Sequence, residues 1–271
     1  MDLTITMENM EPDHGELLHG GLMNSPKRFG DVVHRVQTDS TATLHRLLKH
    51  VRASGIAWVP EPKGIVDGHE VLSFIYGFVP HDMPKWIWEH SVLRQVATLL
   101  REWHDATLGF ELEDAIWSMD TKTNHEVICH NDFAPYNCIF RQNEMVGLID
   151  FDLCAPGSRL WDMAYTAYRF IPVLPQEPVH EHADISPYSK SEINSRIEIF
   201  LDAYAKDGNE FRYDRNELLK VMVERLKAIS EWTRNYAQNT SNAALANNAV
   251  MYEKHSQWIR DELQNTNHEN S

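Results

Sequence analysis

Two apolar runs joined by a short turn, with carboxylates at their ends, constrain this chain more than any other feature. "VICHNDFAPYNCIF" covers Val127 to Phe140, and "VGLIDFDLCAPG" begins at Val146. A charge leaving an apolar strand needs a partner, because an unpaired carboxylate in a core is expensive. The pieces "NCIF" and "VGLI" read as two strands, with a turn at Gln142-Asn143-Glu144 between them. A hairpin from 137 to 150 brings Asn137 and Asp150 to the same end of the sheet.

Asp132 and Asn137 fit the spacing D-x-x-x-x-N, and His130 extends it to H-x-D-x-x-x-x-N. That spacing, followed by a hairpin and another aspartate, suits phosphoryl transfer. A hydroxyl nucleophile needs a proton acceptor, which an aspartate supplies. A polyphosphate needs a divalent cation, and magnesium prefers hard oxygen ligands such as an amide and a carboxylate. The bland alternative, a hairpin with a polar turn, does not account for His130, Asp132, Asn137 and Asp150 together.

The stretch "CHNDFAPYNCIF…GLIDFDLCAPGSRLWDMAYTAYRF" resembles the aminoglycoside phosphotransferase and choline kinase superfamily, whose pattern is typically HGDxxxxN, then IDW/FD, then D-x-A. The likeness runs through nearly the whole chain in element order, with the specific motifs in 128–164. It implies an α+β, protein-kinase-like fold of two lobes, a small antiparallel β-rich N-lobe and a larger, mainly helical C-lobe. It implies ATP and Mg²⁺ as cofactors, Asp132 as catalytic base, His130 as a brace of the loop, and Asn137 and Asp150 as metal ligands. Asp162 matches the buried aspartate that binds the catalytic loop backbone, and Asp152 is read as a supporting carboxylate.

The first part of the chain reads as β-β-β-α-β-β, a nucleotide-binding lobe over 1–76. The remainder, 77–271, reads as the catalytic and substrate-binding lobe. Gly30-Asp31 and Asp67-Gly68 are turn signals. Leu44, Leu47, Leu48 and Val51 fall at helical spacing, with Ser40 or Thr41 at the start and Gly55 at the end. Gly20 and Gly21 lack side chains that would block phosphates. Arg35 in "VVHRV" matches the phosphate-contacting lysine of the superfamily, and a guanidinium binds phosphate in bidentate fashion. Backbone groups from Phe74 to Tyr76 are expected to bind adenine. The helix after Arg35 has no acid between Thr41 and Ser54, so the usual lysine–glutamate pair of kinases cannot form from it. Later helices are expected from Trp86 to Thr107, over 159–170, and near 189–206, 214–237 and 243–264.

The net charge of -15 repels phosphate backbones and argues against a nucleic-acid partner. It either solubilises the surface or steers a cationic acceptor. The first residues lack the basic and apolar regions of a signal peptide, and no apolar run has membrane length, so a cytoplasmic protein without a membrane partner is expected. Cys129, Cys138 and Cys154 form no CxxC pair and read as buried thiols. "HEHAD", with His180, Glu181, His182 and Asp184, lacks a spacing tied to metal geometry and reads as a loop near the acceptor. Trp232, Tyr236, Tyr252 and Trp258 belong either to core or to an acceptor pocket. The function expected is an ATP- and Mg²⁺-dependent kinase acting on a small-molecule hydroxyl, with an aminoglycoside or other antibiotic favoured. The alternatives are a metabolite kinase of choline or sugar type, and a nucleotide-binding module without turnover. A protein kinase is disfavoured, because DFG and APE segments are absent.

Overall fold

The structure is a computed structural model that describes residues 15–18, 26–80, 82–119, 125–174, 188–206, 211–240 and 243–264. Gly20, Gly21 and the "HEHAD" loop lie outside the described residues. The chain folds into two lobes of α+β type, as the protein-kinase-like reading requires. The smaller lobe is an antiparallel five-stranded sheet in the order β1-β2-β3-β5-β4. Its strands are β1 (Glu16–Leu17), β2 (Lys27–Phe29), β3 (Val32–Val36), β4 (Pro62–Val66) and β5 (His69–Ser73). Helix α1 (Thr41–Ala53) crosses between β3 and β4 and buries Leu44, Leu47, Leu48 and Val51. Neither Ser40 nor Thr41 caps the helix as expected. Thr41 Oγ1 instead accepts from the Thr38 N–H at 2.8 Å, closing the loop before the helix. Asp67 and Gly68 both take positive φ, 49° and 75°, the turn that matches the twist of a two-residue hairpin.

The expected helix from Trp86 divides in two. Lys85–Trp88 is a 3₁₀ turn, and α2 (His90–Ala106) begins after the extended Glu89. Val92, Leu93, Val96, Ala97, Leu100 and Trp103 form the buried stripe of α2. Trp103 also donates its indole N–H to Ile128 O at 2.8 Å, which fixes the strand before the His130–Asn137 loop. Strand β6 (Val127–Cys129) pairs with β9 (Ala155–Gly157), and β7 (Cys138–Arg141) pairs with β8 (Glu144–Leu148). The helices α3 (Arg159–Phe170), α4 (Lys190–Ala205), α5 (Arg215–Thr240) and α6 (Ala243–Trp258) complete the larger lobe. Among the described residues, no helix is long and apolar enough to cross a membrane. The three cysteines are free and buried.

Two glycines dock the hairpin β7–β8 against the segment joining the lobes. A Cβ on Gly77 would collide with Ile139 Cγ2 and meet Phe140 O at 2.8 Å, and one on Gly147 would meet Ile75 Cγ2 at 2.8 Å. Phe78 and Phe140 then exchange backbone hydrogen bonds of 2.9 and 2.8 Å. The Leu148 N–H donates to Trp58 O of the small lobe at 3.0 Å. These contacts bring the ends of the hairpin beneath the small sheet.

Candidate active site

The loop from His130 to Asn137 is held from below by one carboxylate. Asp162, on the first turn of α3, is fully buried. Its Oδ2 accepts the His130 N–H at 2.7 Å and its Oδ1 accepts the Asn131 N–H at 2.8 Å. His104 Nε2 lies 3.1 Å from Oδ2, and Tyr204 lies 2.6 Å from the other imidazole nitrogen. Burial alone would raise the Asp162 carboxyl, but the His104 contact, with the charges and N–H groups around it, outweighs burial and holds it below the ordinary range. Asn131 takes φ 65°, the left-handed region. Asparagine tolerates that region better than other side-chain-bearing residues, which lets this chain replace the glycine of HGDxxxxN. Asn131 Nδ2 donates to Leu153 O at 2.9 Å, and Arg225 of α5 donates to Asn131 O at 2.9 Å.

His130 is buried beside the rings of Trp103, Phe133 and Phe151. Its Nε2 donates to Ile149 O at 3.2 Å, and its Nδ1 accepts the Asp132 N–H at 3.3 Å. Burial pushes its pKa down to about 4, so the ring is neutral at pH 7 and serves as a spacer between the loop and the end of β8.

Asp132 stands partly exposed above this floor. Oδ1 accepts the Tyr136 hydroxyl at 2.6 Å, and Oδ2 accepts Asn137 Nδ2 at 2.8 Å. The same Asn137 amide donates to Asp132 O at 2.9 Å, so its Oδ1 is the atom left for a cation. Burial raises the Asp132 carboxyl, and Tyr136, Arg169, Asn137 and Arg225 only partly offset it. The Ile149 N–H donates to Asn137 O at 2.9 Å, which ties Asn137 to the residue before Asp150. Asp150 also takes a left-handed conformation, φ 65°. Burial and the adjacent Asp152 carboxylate raise its pKa to about 6.

Arg35 answers the question of the missing helical acid. On β3 it lies directly opposite Glu70 of β5. Its guanidinium binds Glu70 and Asp152, and Nη1 lies 3.8 Å from Asp150. Glu70 is 2% exposed, and its second oxygen meets His45 Nε2 of α1 at 3.1 Å. Burial works against the charge on Arg35, but Asp152 and Glu70 outweigh it and raise its pKa. The acid therefore comes from the neighbouring strand, and the helix contributes a histidine to it. Other bases of α1 are engaged elsewhere: Arg46 donates to the carbonyls of Glu111 and Glu113, and Arg52 to that of Val59.

Arg35→Ala is expected to cost about 3 kcal/mol in a urea titration, the range for breaking a buried pair by removing one partner. Arg35→Ala/Glu70→Gln should regain part of that loss. A single variant as stable as the parent would mean that Glu70 does not depend on Arg35.

Where an adenine contact is expected from the sequence, the Phe74 N–H donates to Asp31 O at 2.8 Å, so Phe74 has only its carbonyl to offer. Arg28 lies 4.0 Å from the centroid of the Phe74 ring and 5.1 Å from that of Tyr76, and the Tyr76 hydroxyl binds Asp31. No sequence motif singles out Glu70, Tyr136, Arg225 or His104. Tyr136 sits within the motif spacing, so its proximity to Asp132 was the one available signal.

Of the four C-terminal aromatics, Tyr252 and Trp258 pack against the core. Trp232 is 37% exposed and stacks on Tyr236, with centroids 5.3 Å apart and planes 6° from parallel. Arg225, Ile229, Trp232 and Tyr236 follow one another at i, i+4, i+7 and i+11, a stripe along α5 that begins at the His130–Asn137 loop.

Residues 80–185 match the family model for APH, the phosphotransferase enzyme family. A trifolitoxin immunity protein of Rhizobium leguminosarum bv. trifolii is 35% identical over 147 residues, 51% of this chain and 55% of that protein. The match thus spans about half the length of that curated relative. The structure of choline kinase from Cryptosporidium parvum Iowa II aligns with a TM-score of 0.63 at 11% identity, over 92% of this chain and 89% of that one. The GDP complex of aminoglycoside 2'-phosphotransferase-IIIa aligns with a TM-score of 0.61 at 12% identity, over 95% of each chain. These alignments carry the fold, and the match to the phosphotransferase enzyme family covers residues 80–185, the segment that bears the motifs.

Proposed function

We propose that the chain transfers the γ-phosphoryl group of ATP to a hydroxyl of a small molecule, with Asp132 accepting the proton. The observation that carries this reading is the Asp132 carboxylate, oriented by Tyr136 and by an Asn137 that is tied to the residue before Asp150, with Arg35 3.8 Å from Asp150. Residues 1–76 then form the nucleotide side and 77–271 the catalytic and acceptor side. Asn137 Oδ1 and Asp150 offer only oxygen donors, and Asp150 and Asp152 crowd two negative charges together. That donor set fits magnesium, with phosphate and water oxygens completing the shell. Bound there, the ion would neutralise charge on the transferring phosphate. Arg35 orients the phosphates, His130 fixes the height of the loop, and the backbone from Phe74 to Tyr76 meets the base.

The acceptor we favour is an amine-bearing alcohol of choline or ethanolamine type in preference to an aminoglycoside. Structures of a choline kinase and of an ethanolamine kinase from Plasmodium vivax share this fold with a TM-score of 0.63, so the fold accommodates a small amino alcohol as readily as an aminoglycoside. The stacked Trp232–Tyr236 pair offers π faces to a cation, and the net charge of -15 would concentrate one. The test is calorimetry with Mg-ATP followed by a screen of amino alcohols and aminoglycosides for acceptor-dependent ADP release. No Mg-ATP binding would defeat the phosphotransferase reading. Turnover with aminoglycosides alone would defeat the amino-alcohol assignment.

A second reading, toxin immunity, rests on the identity with the trifolitoxin immunity protein. Expression of the chain in a trifolitoxin-sensitive strain, with Asp132→Asn as control, tests it. Protection that needs Asp132 supports it, and continued sensitivity rejects it.

The metal reading makes a pH prediction. Asp150 binds a proton more readily in the fold than in the unfolded chain, so its ionisation weakens the fold as pH rises from about 4 towards about 6. Magnesium relieves that repulsion and competes with the proton. The rise in Tm on adding Mg²⁺ should therefore be larger at pH 7.5 than at pH 5, and Asp150→Asn should flatten the difference. Equal shifts at both pH values would remove Asp150 from the metal site.

A further inference from the structure

We propose that Tyr136 occupies the acceptor's seat on Asp132, and that its hydroxyl restrains hydrolysis of the nucleotide until an acceptor displaces it. The inference rests on the phosphotransferase reading above.

The two donors on the Asp132 carboxylate are unlike. Asn137 is buried, and its amide is held a second time by the Asp132 carbonyl. Tyr136 belongs to the same short 3₁₀ turn, Pro135–Asn137, but stays partly exposed. It presents an O–H to Oδ1 at 2.6 Å. An alcohol acceptor must present the same group to the same carboxylate, in the same kind of bond. The phenol also has somewhere to go. Tyr165 Oη lies 3.2 Å from Tyr136 Oη, so the hydroxyl can leave Asp132 without losing every partner. The Arg169 guanidinium lies 4.9 Å from the Tyr136 ring centroid and 6.0 Å from that of Tyr165, so one cation borders both rings. Two hydrogen-bonded positions for one hydroxyl, one on the base and one off it, make a displaceable occupant.

The consequence concerns water. With nucleotide bound and no acceptor, water is the competing nucleophile. Its oxygen would bond to the γ-phosphorus as the bond to the β,γ-bridging oxygen breaks, and Asp132 would take its proton. ADP and inorganic phosphate would leave. A phenol on Oδ1 denies water that position. Tyr136 is thus a positioning residue whose effect is read in the ratio of hydrolysis to transfer.

The experiment measures phosphate release from Mg-ATP alone. Tyr136→Phe keeps the ring beside Arg169 and removes only the hydroxyl. Its acceptor-independent release is expected to rise about tenfold, as one charge-assisted hydrogen bond would allow. Adding Asp132→Asn should abolish the excess. Tyr165→Phe removes the alternative partner, and its release should fall below that of the parent. Intact mass after incubation with Mg-ATP should be unchanged. Binding of Mg-ATP with no increase in Tyr136→Phe overturns this inference alone. A phosphoryl group found on Tyr136 also overturns it, because the residue would then be an acceptor. Failure of parent and variants alike to bind Mg-ATP overturns the phosphotransferase reading, and this inference with it.

Discussion

Asp132→Asn is expected to keep the fold and Mg-ATP binding while acceptor-dependent ADP release falls by roughly three powers of ten. The hydrogen bonds explain why the fold survives. The amide oxygen can take the place of Oδ2 and accept from Asn137 Nδ2. The amide NH₂ then faces the Tyr136 hydroxyl, which can rotate to accept it. Burial already raises the Asp132 carboxyl, so exchanging it for a neutral group relieves a desolvation cost. What the amide lacks is a basic site for the acceptor's proton. Turnover near that of the parent, measured with the best acceptor, would remove Asp132 from the chemistry.

Asp162→Ala should fail differently. The substitution strips the acceptor from the His130 and Asn131 N–H groups and from His104, in a site closed to water. Each buried donor left unmet costs about 1–3 kcal/mol, so a total near 4 kcal/mol is expected in urea titration. That is a large share of the roughly 5–15 kcal/mol that holds a domain together. The pH dependence has a definite sign. The Asp162 carboxyl is depressed in the fold. Its stabilisation is therefore present above the unfolded carboxyl pKa, near 4, and is lost as pH falls through the lower folded value. The variant should lose stability at neutral pH and show a weaker further loss on acidification than the parent. Activity should fall with the fold, because the same N–H groups set the height of Asp132. A variant with unchanged urea midpoint would show that the loop is held by something other than this carboxylate.

The elements that chain neighbours dictate were legible in the residues. The hairpin β7–β8 follows from two apolar runs around a polar turn, and its turn residues Gln142 and Asn143 take positive φ as a tight turn requires. The Asp67-Gly68 turn follows from the same rule. The His130, Asp132, Asn137 and Asp150 set could be read because a hairpin converts sequence spacing into proximity. The start of α2 lies four residues later than the apolar pattern implies. Trp86 and Trp88 continue an apolar pattern, but Glu89 is extended and divides the segment. Ile87 and Trp88 are buried by tertiary packing from a 3₁₀ turn, which periodicity alone does not distinguish from a helix.

The partner of Arg35 is where local reading ended. The sequence by itself determined that α1 carries no acid, that Arg35 sits on a strand, and that a carboxylate cluster follows the hairpin. It also placed Tyr136 one residue before Asn137. Only the tertiary structure decided that β3 pairs with β5, bypassing α1 and β4, so that Glu70 lies opposite Arg35 from 35 residues away. It likewise decided that His45 reaches the far side of Glu70 and that the Tyr136 hydroxyl turns onto Asp132. Hydrophobic period and turn chemistry act over a few residues and specify elements. Which charges meet depends on strand order and register, which are settled when separate elements bury their apolar faces together. A buried charge then takes whichever partner that packing supplies, because being left without one is the costlier state.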